Sequence, residues 1–212
     1  MEIFCYIHNY ILICYNSCII EKRNFLLNCF NGDVKVNKTI QEINNIEFKE
    51  IINDLLENST VQEMCNYRQH YNTSCLEHCI HVAYFNYLIC KKFGMDYHSA
   101  ARAGLLHDLF LYDWREKQPN VKQLHAFAHP RIALNNSEKY FELNDKEKDI
   151  ILKHMWPLTI SLPKYKESYV ITFVDKYCTL LETWDYYCQK IHKKSAFAYM
   201  YIFLCLFIFP RI

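Results

Sequence analysis

Glycine and proline are scarce in this chain, which contains three glycines and five prolines among 212 residues. Folds built from β-strands need turn residues every 8–12 residues or so, and Gly and Pro are the strongest of these. A chain with so little turn punctuation favours long helices. Because 51% of the residues are hydrophobic, these helices can also bury a substantial core. We therefore predict an all-α fold, with one helical bundle as its main domain.

Hydrophobic periodicity and capping residues divide the chain into six or more helices. Thr73 or Ser74 can cap the start of one of them, and Gly94 is placed to end it. Asp96 and either Asn144 or Asp145 can begin two others, and Pro130 suits a first turn. No convincing pair of strands is present. The predicted helices cover residues 39–56, 73–93, 98–111, 130–141, 145–155 and 167–189.

Three segments follow from this pattern. Residues 1–36 are an apolar N-terminal segment without clear organisation, residues 37–192 form the helical domain, and residues 193–212 are an apolar C-terminal segment. The apolar run at residues 3–20 is a poor signal peptide, since Glu2 stands where positive charge is expected and polar residues interrupt the run. We therefore expect a cytoplasmic protein.

Residues 196–209 are uncharged and strongly apolar. This stretch is shorter than the roughly 20 residues that a membrane-spanning helix requires. Two interpretations remain open. The stretch packs on the domain as a terminal helix or strand, or it makes a shallow contact with a membrane or a partner, because a long exposed apolar patch needs an explanation.

Charge and cysteine content exclude several function classes. The formal net charge is +1, from 24 basic and 23 acidic side chains, so no field would attract nucleic acid and we expect no nucleic-acid binding. The eleven cysteines are odd in number and contain no CxxC spacing. This usage is typical of reduced, buried cysteines in a cytosolic protein and does not favour a disulfide framework or a Cys-rich zinc site.

Six polar side chains lie in apolar sequence, roughly one on each successive helix. A single buried histidine is usually a hydrogen-bonded core residue. Ionised carboxylates among Leu, Ile, Phe and Val are costly unless they are paired or bind a metal. Inward-facing side chains of several helices can share one or two cations in a bundle. The candidate metal ligands are His78, His107, Asp108, His129, His154 and Asp175.

The ligand types indicate which metal is expected. Imidazole and carboxylate donors without thiolate favour one or two ions of Mn, Fe, Co or Ni. Mg remains open, and tetrahedral structural Zn is disfavoured. Such ions lower the pKa of bound water and hold phosphoryl oxygens, which suits the hydrolysis of phosphate esters.

The residues resemble the HD-domain metal-dependent phosphohydrolases over about residues 70–185. That family has a His on one helix, a His-Asp doublet on the next and a distant Asp, which here match His78, His107-Asp108 and Asp175. His129 and His154 resemble the extra histidines of binuclear members, including the HD-GYP cyclic-dinucleotide phosphodiesterases. The chain lacks the Gly-Lys and Gly-Tyr-Pro of that subgroup, and is most similar to bacterial HD-family hydrolases without an assigned substrate.

The resemblance implies a role for each ligand. His78, His107, Asp108 and Asp175 would hold one ion, and His129 and His154 would hold a second, with Asp108 as a bridge. The nucleophile would be a metal-bound hydroxide, and Asp108 would act in catalysis by orienting it. The substrate would be a phosphate monoester or diester, with nucleotides among the candidates.

Basic residues close to the ligands in sequence are candidates for substrate binding. They are Arg131, Lys153 and Lys176, and a solvated charge on the outer face of a helix is an equally good interpretation for each. Arg68, His70 and His125 are weaker candidates, and we expect His125 on a loop. The doublet is followed by neither Lys nor Glu. A metal-stabilised sensor or scaffold without turnover is therefore the alternative function.

Overall fold

A computed structural model describes residues 40, 43–71, 73–116 and 124–207, with the backbone alone at residues 185, 188, 189 and 191–207. Contacts divide the chain between Asn45 and Ile46, and every element described below lies in the unit that begins at Ile46. The predicted N-terminal segment at residues 1–36 lies outside the described residues, as do residues 39, 41 and 42 of the helix predicted for residues 39–56.

Helices are the main elements of the described structure, so the all-α prediction is confirmed. The described helices are α1 (Ile46–Leu56), α2 (Ser59–Glu63), α3 (Cys75–Lys92), α4 (Tyr97–Leu106), α5 (His125–Tyr140), α6 (Asp145–Lys153) and α7 (Lys166–Phe207), with a short 3-10 turn at Met64–Asn66.

One small antiparallel hairpin departs from the prediction that no strands pair. Strand β1 (Arg68–His70) runs beside β2 (Thr73–Ser74), with Arg68 opposite Ser74 and His70 opposite Thr73. Strands of two and three residues are too short to show the alternation by which a strand is recognised in sequence. Tyr71, at the turn, stacks on Tyr186 of α7 with ring centroids 4.3 Å apart. The hairpin is thereby held against the last helix.

The predicted helix caps are confirmed. The Ser74 hydroxyl accepts a hydrogen bond from the backbone N–H of Glu77, and Asp96 accepts one from Ser99. Asn144 and Glu147 cap the start of α6 reciprocally. Gly94 follows α3 with φ of 62°, a left-handed conformation that glycine adopts without steric cost.

Several helix ends differ from the prediction. Helix α4 ends at Leu106 rather than residue 111, so the His107-Asp108 doublet follows the helix. Helix α5 begins at His125, and Pro130 lies inside it rather than in its first turn. The backbone carbonyl of Leu124 accepts hydrogen bonds from Phe127 and Ala128, which starts the helix before the proline. Helix α7 continues past the predicted end at residue 189 to Phe207.

Helix α3 forms the most extensive helix–helix contact among the described residues. It packs most extensively on α4 and next on α7, while α6 contacts α4, α5 and α7. A Cβ atom at Gly104 of α4 would lie 2.8 Å from the Cα of Ala83, so glycine is needed for this close approach of α3 and α4. Fully buried aliphatic side chains of these helices include Leu76, Ile80, Leu105, Leu106, Ile150, Ile151 and Ile171.

The C-terminal apolar stretch is helical where it is described. Residues 196–207 continue α7 without a break, and residues 208–212 lie outside the described part of the chain. No helix among the described residues combines the length and hydropathy that crossing a membrane requires. The described cysteines at positions 65, 75, 79, 90 and 178 are all free thiols, in line with the prediction of reduced cysteines.

Candidate metal centre

Two of the candidate ligands occupy equivalent positions, each directly after the end of a helix. His107 follows α4, and His154 follows α6. The last carbonyls of a helix have no partner within the helix, and both side chains use one of them. Nδ1 of His107 donates to the carbonyl of Gly104, and Nδ1 of His154 donates to the carbonyl of Ile151, each at 2.8 Å. The helix ends therefore fix the orientation of both imidazole rings.

The other two histidines lie within helices and are oriented in the same way. Nδ1 of His129, in α5, donates to the carbonyl of His125 at 2.9 Å. Nδ1 of His78, in α3, faces the Glu182 carboxylate at 3.0 Å. Because a carbonyl or a carboxylate can only accept, Nδ1 of each ring carries a proton, and Nε2 of His78 faces a second acceptor, the Asp175 carboxylate, at 3.2 Å. The neutral form of each ring therefore presents a lone pair at Nε2.

The first group of ligands joins α3, the end of α4 and α7. Nε2 of His78 lies 3.2 Å from Oδ1 of Asp175, and Nε2 of His107 lies 3.7 Å from the same oxygen. Nε2 of His107 also lies 3.4 Å from Oδ2 of Asp108. Both imidazoles are fully buried. Two lone pairs and two carboxylates therefore converge on one volume.

The second group joins the end of α4 with α5 and the end of α6. Nε2 of His129 and Nε2 of His154 lie 2.8 Å apart. Oδ1 of Asp108 lies 3.3 Å from the first of these nitrogens and 3.7 Å from the second. Asp108 thus presents one carboxylate oxygen to each group. Both groups have the donor types and spacing that can hold a metal ion.

The unpartnered atoms of the site test whether a cation fits. Nε2 of His107 and Oδ1 of Asp108 are buried side-chain atoms that have no hydrogen-bond partner within the described part of the chain. Leaving such atoms unsatisfied is costly, and a cation would satisfy both. The nearby thiols do not face the ligand atoms. Cys79 Sγ lies near Nδ1 of His107, on the side of the ring opposite the ligand nitrogen, and Cys75 Sγ donates a hydrogen bond to the backbone carbonyl of Asp108. The donor set is imidazole and carboxylate, which fits a divalent metal ion.

Electrostatics keep the acidic ligands charged. Burial alone would raise the pKa of Asp108, but His107, His129 and His154 hold it at about 2. Burial opposes ionisation of Asp175 as well, and the neighbouring imidazoles of His107 and His78 keep its pKa well below the usual range. Burial and the neighbouring imidazoles lower the pKa of His154 to about 3. Near neutral pH, the site therefore offers two carboxylates and an unprotonated His154.

A cavity of about 450 Å³ opens onto both groups of ligands. Its wall includes residues of the hairpin, the segment after α4, and helices α5 and α7. These residues include Gln69, His70, Trp114, His125, Met155 and Lys176. Of the predicted substrate-binding residues, Lys176 lies on this wall and donates to the carbonyls of Thr172 and His154.

The other two predicted substrate-binding residues lie elsewhere. Arg131 is exposed and is not part of the cavity wall. Lys153 forms an ion pair of 2.7 Å with Asp149, one turn earlier on α6, and is also absent from the wall. The structure therefore brings one of the three predicted cations to the cavity.

His125 is the first residue of α5 and does not lie on the loop predicted for it. Its ring stacks on that of His129 at 4.6 Å and on that of Trp114 at 5.5 Å. Burial and His129 lower the pKa of His125 to about 4. These stacked rings line the cavity from the second ligand group to the exposed Trp114.

Two polar residues of the site are absent from the sequence-based prediction. Gln69 donates from Nε2 to Oδ2 of Asp108 at 2.5 Å, and nothing in the sequence distinguished it from its neighbours. Glu182 is hydrogen-bonded to His78. Its position did carry a signal, because a residue seven positions after Asp175 lies on the same face of a helix.

Comparison with known proteins gave one result. The model of the HD domain family matches residues 75–180, which is half of the chain. No curated protein and no solved structure matches the chain. The matched region begins with α3 and ends within α7, and it contains all six candidate ligands. The chain therefore belongs to the HD domain family of metal-dependent phosphohydrolases, as the sequence predicted.

Proposed function

We propose that this chain hydrolyses phosphate esters with two divalent metal ions held by the two ligand groups. The observation that carries this proposal is the 2.8 Å separation of Nε2 of His129 and Nε2 of His154. Two lone pairs at that distance repel each other unless a cation lies between or beside them. Since Asp108 faces this pair as well as the first group, its carboxylate would bridge the two ions.

Each ligand has a defined part in this proposal. His78, His107, Asp108 and Asp175 would hold the first ion, and His129, His154 and Asp108 would hold the second. Ions held there would supply Lewis-acid catalysis and activate water for attack at phosphorus. Asp108 also lines the cavity, where its carboxylate can orient the attacking water. We expect Mn, Fe, Co or Ni, because the donors are nitrogen and oxygen without sulfur.

The cavity wall supports a substrate with a compact anionic group. Lys176 is the one Lys or Arg on the wall among the residues that the structure describes. His125 adds no positive charge at neutral pH, because its pKa is lowered to about 4 by burial and His129. One cation besides the metal ions suits a phosphate monoester or diester better than a polyphosphate.

The remainder of the wall supports a planar or apolar leaving group. Trp114, Met155 and Leu180 lie along the cavity, and the Trp114 ring continues the stack that begins at His129. Aromatic and apolar walls of this kind bind flat or hydrophobic ligands, while a few polar groups fix their orientation. Nucleotides meet both requirements, so they are the first substrates to test.

The experiment combines metal analysis with a substrate panel. Protein purified without oxygen is analysed for metal and then assayed with Mn²⁺ and with Fe²⁺ on nucleoside monophosphates, cyclic nucleotides and a chromogenic phosphodiester. We expect turnover that requires metal. In Asp108→Asn the metal-dependent turnover rate should fall by roughly 100-fold or more, because a ligand shared by two ions is lost. The variant should remain helical. Glu147→Gln is the control, since Glu147 is an equally buried carboxylate that pairs with Arg102 outside the cavity.

Two outcomes would contradict the proposal. Full activity of Asp108→Asn would remove the central ligand from the mechanism. Stoichiometric metal without turnover on any member of the panel would instead support a metal-stabilised sensor or scaffold.

A further inference from the structure

Glu182 makes a buried contact with one of the proposed metal ligands. Its side chain is 5% exposed, and its two oxygens lie 3.0 and 3.1 Å from Nδ1 of His78. The residue lies on α7, beyond residue 180, where the match to the HD domain family ends. It is therefore not among the six ligands that the family resemblance assigns.

The surroundings of Glu182 show what its charge is used for. Its ion pairs within the described residues are with His78 and, at 3.7 Å, with His81. No Lys or Arg of the described chain pairs with it. A buried carboxylate is costly unless it has a partner, and the fully buried His78 is the closer of the two. The position of Glu182 is thus explained by the imidazole of His78.

We propose that Glu182 is a positioning residue of the metal centre, which holds His78 with its Nε2 lone pair directed at the first ion. This inference rests on the metal assignment of the proposed function. Accepting the Nδ1–H bond fixes both the tautomer and the rotation of the ring. It also increases the electron density at Nε2, which strengthens the bond to a cation.

A competing interpretation is a third ion between Glu182, His78 and His70, whose ligand atoms also cluster. This interpretation requires His78 to bind ions through both ring nitrogens. A neutral imidazole has one lone pair, and the lone pair at Nε2 faces Asp175 at 3.2 Å. His70 has a separate partner, the Thr179 hydroxyl at 3.1 Å from Nε2. The hydrogen-bonding role of Glu182 is therefore the one that the geometry supports.

The test measures metal affinity directly. Mn²⁺ affinity is determined by competition with a chelator for the wild type, Glu182→Gln, Glu182→Ala and the control Glu147→Gln. We expect Glu182→Ala to bind the first ion about 10–100-fold more weakly. Glu182→Gln should lose less, because its amide oxygen still accepts from Nδ1–H. The control should keep wild-type affinity, since Glu147 interacts with Asn144 and Arg102.

A second measurement does not depend on the folding of a variant. In wild-type protein loaded with diamagnetic Zn²⁺, the ¹⁵N signals of His78 should report protonation at Nδ1. A proton at Nε2, or wild-type affinity in both Glu182 variants, would overturn the inference. Metal binding without turnover would contradict the proposed hydrolysis and leave the positioning role intact. Metal-dependent turnover together with unchanged metal affinity in the Glu182 variants would support the proposed hydrolysis and contradict the positioning role.

Discussion

Nε2 of His129 and Nε2 of His154 face each other at 2.8 Å, and in the neutral form of both rings, with Nδ1 protonated, neither nitrogen has a proton to donate. Nδ1 of each ring is already hydrogen-bonded to a backbone carbonyl, that of His125 or of Ile151. Since burial and neighbouring imidazoles lower the pKa of His154 to about 3, an added proton is disfavoured near neutral pH. A divalent cation would satisfy both lone pairs.

We expect His154→Ala to remove the second ion and retain the first. Metal content should fall from about two ions per chain to about one, because His78, His107 and Asp175 are untouched. Elemental analysis of the folded variant measures this. His98→Ala, a change outside the ligand groups, is the control. Unchanged metal content in His154→Ala would show that the pair does not hold an ion.

Gln69→Leu tests the contribution of the hairpin. Loss of the hydrogen bond to Oδ2 of Asp108 should lower kcat/KM by about 10–100-fold, because the carboxylate is no longer held in place. Gln62→Leu is the control. Gln62 is exposed and its side-chain amide donates a hydrogen bond to the carbonyl of Leu56, so this variant should retain activity. Equal kcat/KM in the two variants would place Gln69 outside the mechanism.

Lys176 and Lys153 should behave differently on substitution. Lys176→Met is expected to raise KM by roughly 10-fold or more, as for the loss of a charge-assisted hydrogen bond to phosphate. Lys153→Met should leave KM unchanged, because Lys153 pairs with Asp149 away from the cavity. Steady-state kinetics on the best substrate measure KM for both variants. A raised KM in Lys153→Met alone would show that Lys153, and not Lys176, contacts the substrate.

Two glycine substitutions separate packing from backbone conformation. Gly104→Ala should reduce the free energy of unfolding by about 1–3 kcal/mol, because its Cβ would collide with Ala83. It should also weaken metal binding, since the Gly104 carbonyl orients His107. Gly94→Ala meets no atom and costs about 1 kcal/mol through its positive φ. Chemical denaturation measures the free energy of unfolding of both variants, and chelator competition measures their metal affinity. Equal metal affinities in the two variants would contradict the coupling of Gly104 to the site.

Removal of metal should lower thermal stability. The candidate ligands lie on α3, α5, α7 and the ends of α4 and α6, so bound ions would join elements that are distant in sequence. At a metal concentration 100 times Kd, binding to the folded state alone adds about 2.7 kcal/mol. Thermal unfolding with increasing Mn²⁺ should show a rising Tm in the wild type and a smaller rise in Asp108→Asn. An identical rise in both would mean that the ions bind elsewhere.

The sequence determined the helical class, the helix caps and the order of the six ligands. Each of these depends on near neighbours: Ser74 caps α3 through Glu77, and Asn144 caps α6 through Glu147. The ion pair of Lys153 with Asp149 is also local, and its i,i+4 spacing could have been recognised. The HD pattern was recognisable because its residue types and order survive without coordinates.

Only the tertiary structure decided which atoms meet. The separation of His129 and His154, 25 residues apart in sequence, depends on how α5 packs beside α6. Gln69 reaches Asp108 across 39 residues, and Glu182 reaches His78 across 104. Sequence periodicity assigns a residue to a face of its helix, but the contacts between helices follow from the packing of the whole core. The six residues that the structure brings together were therefore predictable, and the residues that orient them were not.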